Sequence, residues 1–311
     1  MNKFRAAIAS MRLRTLPLST GGVILGILLA NAMYKIDVWV AVLIVLTTVC
    51  LQILSNLSNE LGDVLHGTDS EDRKGPQYGL NSGVLSVGEM KGLIAVFVVL
   101  SIVFGTAMTL RSWGTLRDMT SILVLLLGAF AIKSAMKYTL GRNPYGYRGL
   151  GDVYVFLFFG LVAVLGSFFV ACHTLLWLLL LPGTAIGCFS VGVLNVNNIR
   201  DMETDARNRV TTAIRLGEKR AKIYQTVLIV LGWICMLAFC PLMIKYQPQP
   251  QLLIFCWWQY LFVLTLPLFI LHLRGVWKRT GKALDPMLPL LVISTFLFCL
   301  LAGGGFCVYL L

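Results

Sequence analysis

Long runs of apolar residues constrain this sequence more than any other feature. Several runs of roughly 20 residues carry almost no charge, and that is the length an α-helix needs to cross the hydrocarbon core of a bilayer. Because a backbone in lipid must satisfy its own hydrogen bonds, such runs form helices. The sequence therefore predicts an all-α, polytopic membrane protein, a bundle of transmembrane helices. Its spans, about nine in number, are predicted at Leu16–Tyr34, Val38–Ser58, Gly92–Leu110, Thr120–Met136, Val153–Cys172, Leu175–Val196, Ile223–Ile244, Leu253–Leu273 and Met287–Leu310.

The distribution of charge supports this class and predicts an orientation. Only 13% of the 311 residues are charged and 58% are hydrophobic, which is too apolar for a soluble domain of this length. The net charge of +12 does not indicate nucleic-acid binding, because the basic residues follow the pattern of the spans. With a cytoplasmic N-terminus, all but four of the 26 Lys and Arg fall in cytoplasmic segments, the exceptions being Lys35, Arg111, Arg117 and Lys245. This asymmetry predicts that the N-terminus and the long polar connections face the cytoplasm.

No linker or low-complexity segment divides the sequence. We therefore predict a single transmembrane domain over residues 1–311. A weak internal similarity relates the end of the second span to the end of the sixth, since both run directly into Asn and Asp at helical spacing. Parallel repeats of this kind place a shared site between the two halves.

Acidic residues gather in the two segments that follow these spans. Eight of the fourteen Asp and Glu lie in residues 60–72 and 201–205. Asn59 and Asp63 share a helix face, as do Asp201 and Asp205, because each pair is four residues apart. Such oxygen ligands suit Mg²⁺, which proteins usually hold with a few carboxylates plus substrate phosphate and water. The pattern predicts two or more Mg²⁺ around one diphosphate; the alternative is that these residues are solvated helix caps and turn formers.

Basic side chains near the two clusters suit the remaining phosphate charge. Arginine binds phosphate oxygens in bidentate geometry. The candidates from this pattern are Arg73, Lys74, Arg200, Arg207, Arg209 and Arg215.

Six short stretches carry the recognisable motifs of this chain: Arg14-Thr-Leu-Pro17-Leu18, Leu51 to Asp63, Asp72-Arg73-Lys-Gly-Pro76, Asn143 to Asp152, Asn195 to Asp201 and Ile214 to Glu218. They resemble the UbiA superfamily of intramembrane prenyltransferases, and the resemblance covers essentially the whole chain. Within that superfamily, the stretch from Pro144 to Asp152 is most similar to the branch that uses 1,4-dihydroxy-2-naphthoate as acceptor. Glu60 stands where the family usually has Asp.

The resemblance implies roles for individual residues. The metal ligands would be Asn59, Asp63, Asp69, Asp72, Asn198, Asp201 and Asp205, of which Asn59, Asp63, Asp201 and Asp205 would be catalytic. Arg73 would contact the diphosphate. Lys133 and Lys137 would bind the diphosphate or the acceptor's carboxylate, or alternatively anchor the helix end at the membrane surface. The acceptor's pocket would be shaped by Tyr138, Tyr145, Tyr147 and Asp152.

The resemblance also implies that the helix bundle has an intramembrane cavity open to the cytoplasmic side, and it implies the reaction. An all-trans polyprenyl diphosphate, its chain lying between helices or in membrane lipid, would alkylate 1,4-dihydroxy-2-naphthoate with release of diphosphate and CO₂. A bacterial inner membrane would be the location. Other aromatic acceptors, such as 4-hydroxybenzoate, homogentisate or haem, stay open alternatives. A secondary transporter is the alternative from another class, but transporters carry ionisable residues near the midplane, and these spans are nearly free of charge.

Overall fold

The structure is a computed structural model that describes residues 2–67, 78–142, 144–206, 210–246 and 257–308. Within these residues, nine helices are long and apolar enough to cross a membrane, and no β-strand occurs. The predicted all-α membrane fold is thereby confirmed. The nine helices are α1 (Lys3–Asn31), α2 (Val38–Leu65), α3 (Val87–Trp113), α4 (Met119–Lys137), α5 (Gly151–Cys172), α6 (Trp177–Arg200), α7 (Glu218–Tyr246), α8 (Trp257–Lys278) and α9 (Gly281–Cys307).

Polar residues just before the apolar runs explain where several helices begin. The first amides of a helix have no partner within the helix, so a side chain that accepts from them stabilises the start. Asp37 accepts from the Trp39 amide at 2.8 Å, and Asp118 accepts from the Ser121 amide at 2.8 Å. The latter bond lowers the pKa of Asp118 from its usual value. Helix α3 begins with a capping box, in which the side chain of Ser86 and that of Glu89 each accept from the other's amide.

Helices α2 and α6 run past the predicted ends of their spans, Ser58 and Val196. Helix α2 continues to Leu65 and α6 continues to Arg200. The polar residues there lower the local hydropathy, but they leave the main-chain hydrogen bonds of the helix intact. We call the end of the bundle at which α2 and α6 finish the motif end.

The helices pack in a closed arrangement in which neighbours along the chain are mostly neighbours in space. Helix α2 packs against α3 and α4, α6 packs against α5 and α7, and α9 packs against α1, so the first and last of these helices are neighbours. The hydrophobic effect does not drive helices together in lipid, so helices contact each other mainly where small residues permit close van der Waals packing. At the α5–α6 crossing, a Cβ on Gly160 would lie 2.5 Å from the Gly183 carbonyl oxygen.

The largest buried cluster lies among α1 and α5 to α9. Aromatic rings from four of these helices form its centre, with ring centroids of Phe189, Trp233 and Phe262 each within 5.3 Å of the ring of Phe298. Helices α3 and α4 contribute few buried residues and expose apolar side chains along most of their length. Such faces suit contact with lipid acyl chains.

Candidate functional site

The first motif lies on the last turns of α2. Asp63 is buried, and the Tyr147 hydroxyl donates to its Oδ1 at 2.7 Å. The Thr139 hydroxyl, just beyond α4, donates to the Ser58 carbonyl at 2.9 Å and lies 3.2 Å from Asn59 Oδ1. Residues of the α4–α5 connection therefore orient the oxygen atoms of both Asn59 and Asp63.

Glu60 has a different environment from its neighbours in the motif. Its side chain is fully buried, and its Oε1 accepts from the amides of Leu80 at 2.7 Å and Asn81 at 3.4 Å. Neighbouring helical residues do not face the same way, so this contact lies off the face of Asn59 and Asp63. Glu60 thus fixes the chain just before α3. The predicted ligands Asp69 and Asp72, and the predicted diphosphate contacts Arg73 and Lys74, lie outside the described residues.

The second motif lies at the end of α6. Asn198 and Asp201 are both buried, and Asp205 follows one turn later in the short helix Met202–Asp205. The Asp205 amide donates to the Asp201 carbonyl at 2.9 Å. The motif residues are therefore held on one continuous stretch of backbone. Arg207 and Arg209 lie outside the described residues.

Arg200 lies within this motif and is bound to protein carboxylates. Its Nε donates to Asp201 Oδ1 at 2.8 Å, and its Nη2 donates to Asp201 Oδ2 at 2.6 Å. Its Nη1 donates to Asp285 Oδ1 at 2.9 Å, and Nη2 also reaches Asn197 Oδ1 at 2.9 Å. With only 6% of its side chain exposed, Arg200 is placed to orient Asp201. This arrangement does not support the predicted contact between Arg200 and diphosphate, because four of the five N–H groups of its guanidinium donate to protein acceptors.

The α4–α5 connection joins the two motifs. Tyr147 contacts Asp63 through its hydroxyl, and its carbonyl accepts from the Val210 amide at 3.0 Å, in the segment that follows the second motif. The His66 ring packs edge-on against the Tyr147 ring with centroids 5.4 Å apart, which supports its position. One tyrosine therefore links the first motif to the segment that follows the second.

The other predicted pocket residues of this connection form a compact group. A small cavity at the motif end is lined by Tyr138, Asp152, Asn198 and Thr211, among others. The Tyr224 hydroxyl of α7 donates to Asp152 Oδ2 at 3.1 Å. Tyr145 is directed towards α4, where its hydroxyl donates to the Ser134 carbonyl at 2.7 Å. Burial, with smaller contributions from the neighbouring tyrosines, raises the pKa of Tyr145, so this hydroxyl stays a donor at neutral pH.

The remaining predicted basic residues lie at the surface of the motif end. Lys133 and Lys137 are exposed one turn apart on α4. Arg215 is exposed and packs over Gly149, where a Cβ would meet its guanidinium at 3.3 Å. Among the hydrogen bonds of the described residues, none joins these three side chains to the motif carboxylates. Their predicted roles in substrate binding stay predictions.

Comparison with known families identifies the chain. The model of the UbiA prenyltransferase family matches residues 20–286. The chain belongs to the UbiA prenyltransferase family. A relative from Escherichia coli (strain K12), named 1,4-dihydroxy-2-naphthoate octaprenyltransferase, is 37% identical over 97% of this chain and 94% of its own length.

Solved UbiA structures share this fold. A UbiA homologue from Aeropyrum pernix K1, solved in the apo state, aligns with a TM-score of 0.69 at 17% identity, over 96% of this chain and 99% of the homologue. A homologue from Archaeoglobus fulgidus, bound to GPP and Mg²⁺, aligns with a TM-score of 0.62 at 15% identity, over 97% and 99% of the two chains. At these identities the likeness establishes the fold.

The donor set of this UbiA protein fits a divalent cation that binds together with a phosphate ligand. Asn59, Asp63, Asn198 and Asp201 offer oxygen atoms, which hard cations prefer. Within the described ranges, no group of three or more His, Cys, Asp or Glu could hold an ion by itself. A cation there would need further oxygen atoms from substrate and water, which is how Mg²⁺ is usually held.

Three residues that matter here were not predicted from the sequence. Thr139, Tyr224 and Asp285 contact Asn59, Asp152 and Arg200, respectively. The sequence does show a carboxylate just before the last predicted span, and this was a visible signal for Asp285. Its partner, 85 residues away, was not.

Proposed function

We propose that this protein transfers an all-trans polyprenyl group from polyprenyl diphosphate to 1,4-dihydroxy-2-naphthoate, releasing diphosphate and CO₂ and giving demethylmenaquinol. The observation that carries the proposal is the pair of Asn and Asp motifs at one end of a UbiA bundle, in which Asp63, Asn198 and Asp201 are buried. Tyr147 links Asp63 to Val210, in the segment after the second motif. The choice of acceptor rests on the name of the relative from Escherichia coli, which is similar along almost the whole chain.

We propose that Asn59, Asp63, Asn198, Asp201 and Asp205, with Asp69 and Asp72, bind two or more Mg²⁺ together with the diphosphate. The homologue from Archaeoglobus fulgidus that binds GPP and Mg²⁺ supports the use of this metal. Mg²⁺, when bound, neutralises the charge that develops on a leaving diphosphate. The protein's own part is to hold these oxygen atoms in place, through Tyr147 at Asp63 and Arg200 at Asp201.

In the proposed reaction the C1–O bond of the donor breaks, and its electron pair leaves with diphosphate. The ring carbon that bears the carboxylate forms the new carbon–carbon bond, and the bond from that carbon to the carboxylate then breaks to release CO₂. Tyr138 and Asp152 would help to shape the acceptor's pocket. With Asn198 they line a cavity of about 20 Å³, which has room for one water molecule and would have to widen to admit the acceptor. Apolar helices around the motif end would exclude water, which protects the allylic cation from hydrolysis.

The location follows from the fold and the charge pattern. This is an integral membrane protein, as the nine apolar helices found within its described residues and its family indicate. We propose that it resides in a bacterial inner membrane with its N-terminus and motif end in the cytoplasm, because most Lys and Arg lie there. We also propose that residues 1–311 act as one domain.

Turnover in detergent tests the proposal. Purified protein would receive labelled polyprenyl diphosphate, Mg²⁺ and one of three acceptors: 1,4-dihydroxy-2-naphthoate, 4-hydroxybenzoate or homogentisate, each with and without EDTA. We expect a prenylated naphthalenediol and CO₂, only in the presence of metal. Turnover of another acceptor would overturn the acceptor assignment, whereas no turnover from folded protein would favour a transporter, to be checked by uptake into liposomes.

Substitution of the motif aspartates tests the residue assignment separately. Asp63→Asn and Asp201→Asn should each abolish turnover, because an amide removes the negative charge that holds the cation while keeping the shape of the side chain. Unfolding temperature in detergent would verify that both variants fold. Wild-type turnover in either variant would contradict the proposed metal site.

A further inference from the structure

The α8–α9 connection, taken here as residues 279–286 because the regular α-helix of α9 begins at Met287, reaches the second motif through the carboxylate of Asp285. Asp285 follows the turn Gly281–Leu284 and accepts from Arg200 Nη1 at 2.9 Å. Arg200 in turn makes a bidentate pair with Asp201, and both of these side chains are more than nine-tenths buried. The contacts thus form a chain from Asp285 through Arg200 to Asp201.

The pair of Arg200 and Asp201 has a partner outside its own segment of chain. Adjacent residues on a helix point in different directions, so their side chains meet only because α6 ends here and Asp201 adopts φ −96° and ψ 8°. A guanidinium carries five N–H groups in a rigid plane. Asp201 and Asn197 lie on the same stretch of chain as Arg200, whereas Asp285 binds it from a separate element. Asp285 therefore fixes the plane of the guanidinium.

Charge gives Asp285 a second effect on Asp201. Arg200 shares its single positive charge between two carboxylates, with Asp285 40% exposed and Asp201 only 7% exposed. Without Asp285, the buried guanidinium would neutralise Asp201 alone. Asp201 would then be a weaker ligand for a cation, because a carboxylate fully paired with arginine offers less negative charge.

We propose that Asp285 is a positioning residue, which orients Arg200 and, through it, Asp201 for binding of metal-bound diphosphate. This inference rests on the function proposed above and extends it to a residue outside both motifs. The role differs from simply fastening the connection, because other contacts already do so. Leu284 is fully buried against Val196 and Ile199, and Lys222 Nζ donates to the Arg279 carbonyl at 2.9 Å.

Two variants separate the hydrogen bond from the charge. Asp285→Asn keeps an oxygen that can accept from Arg200 but removes the charge, and Asp285→Ala removes both. Lys222→Met is the matched control, since it loosens the same connection at Arg279 without touching Arg200. All three would be made in the full chain and purified in detergent.

The main readout is binding of Mn²⁺ in the presence of inorganic diphosphate, followed by the EPR signal of free Mn²⁺. Residues that orient metal ligands typically change metal affinity by about 10–100-fold when substituted. We expect Asp285→Ala to weaken Mn²⁺ binding by about 10-fold or more, Asp285→Asn to weaken it less, and Lys222→Met to leave it unchanged. The Mg²⁺ concentration for half-maximal turnover should rise in the same order, while kcat at saturating Mg²⁺ changes little.

The outcomes distinguish this inference from the proposed function. Wild-type protein that binds no Mn²⁺ with diphosphate would overturn both. Wild-type protein that binds Mn²⁺, with both Asp285 variants folded and equal to it, would overturn the positioning role alone. If Lys222→Met weakens Mn²⁺ binding as much as Asp285→Ala does, the positioning role of Asp285 would also be overturned. The effect would then come from the α8–α9 connection as a whole.

Discussion

Gly62 tests whether the fit between α2 and the α4–α5 connection matters for activity. It lies within the first motif, between Asn59 and Asp63, and faces Thr139. A Cβ placed on Gly62 would lie 2.6 Å from the Cβ, the carbonyl oxygen and the hydroxyl of Thr139. One of these atoms belongs to the backbone, so rotation of the threonine side chain cannot relieve the contact. Gly62→Ala must therefore push the two segments apart.

The size of the displacement follows from these distances. Ordinary van der Waals contact begins at 3.4 Å, so separation by about 0.8 Å is needed to avoid overpacking. The Thr139 hydroxyl lies 2.9 Å from the Ser58 carbonyl and 3.2 Å from Asn59 Oδ1. A displacement of this size lengthens both of these distances beyond the range of a hydrogen bond. Misplacement of reacting groups by about 1 Å can cost 100-fold in rate, and overpacking costs about 1–3 kcal/mol of stability.

We expect Gly62→Ala to lower kcat/KM for the prenyl diphosphate by about 10–100-fold in protein that still folds. Gly128→Ala is the control, because this residue also lies in a helix but a Cβ there meets nothing within 4 Å. Initial rates at several donor concentrations and unfolding temperatures in detergent would be measured for both. If the kcat/KM of Gly62→Ala equals that of the wild-type protein, the contact between Thr139 and Asn59 is not needed for activity and the reasoning is refuted.

Three further results are expected. Tyr147→Phe removes the donor to Asp63 and should weaken apparent Mg²⁺ affinity by about 10-fold or more, measured as the Mg²⁺ dependence of turnover; an unchanged dependence would contradict the role of this hydroxyl. Glu60→Gln should lower turnover only slightly, because its amide oxygen still accepts from the Leu80 amide. Glu60→Ala should lower the free energy of unfolding by about 1–3 kcal/mol, because it leaves that amide unpaired. Complete loss of turnover in Glu60→Gln would instead indicate that Glu60 is a metal ligand. EDTA should stop turnover and added Mg²⁺ should restore it, and activity that survives EDTA would argue against a metal-dependent site.

Much of the candidate site could be predicted because its residues are close together in sequence. Asn59 and Asp63, like Asp201 and Asp205, are one helical turn apart, and that spacing alone places them on a common face. The resemblance of the surrounding motifs to UbiA prenyltransferases then supplied the chemistry. The ends of the spans were less accurate, because hydropathy falls at Ser58 and Val196 although the helices continue to Leu65 and Arg200.

The roles of individual charged residues were harder to predict. Arg200 was predicted to contact diphosphate, since a basic residue beside an acidic motif suits an anion. In the structure its guanidinium binds Asp201 and Asp285. Glu60 lies next to a predicted ligand, but it accepts from the Leu80 amide instead. Sequence shows that a charge is present, but not which side chain it meets.

The sequence by itself determined the membrane class and its helical fold, because a bilayer allows few structures and demands long apolar segments for each. It also determined the two motifs, since their spacing is a local property of the helix. Only the tertiary structure decided which donor holds each carboxylate. Tyr147 reaches Asp63 across 84 positions and Arg200 reaches Asp285 across 85. Such contacts depend on how the helices pack, and helix packing in lipid is set by the fit of small residues and not by hydropathy.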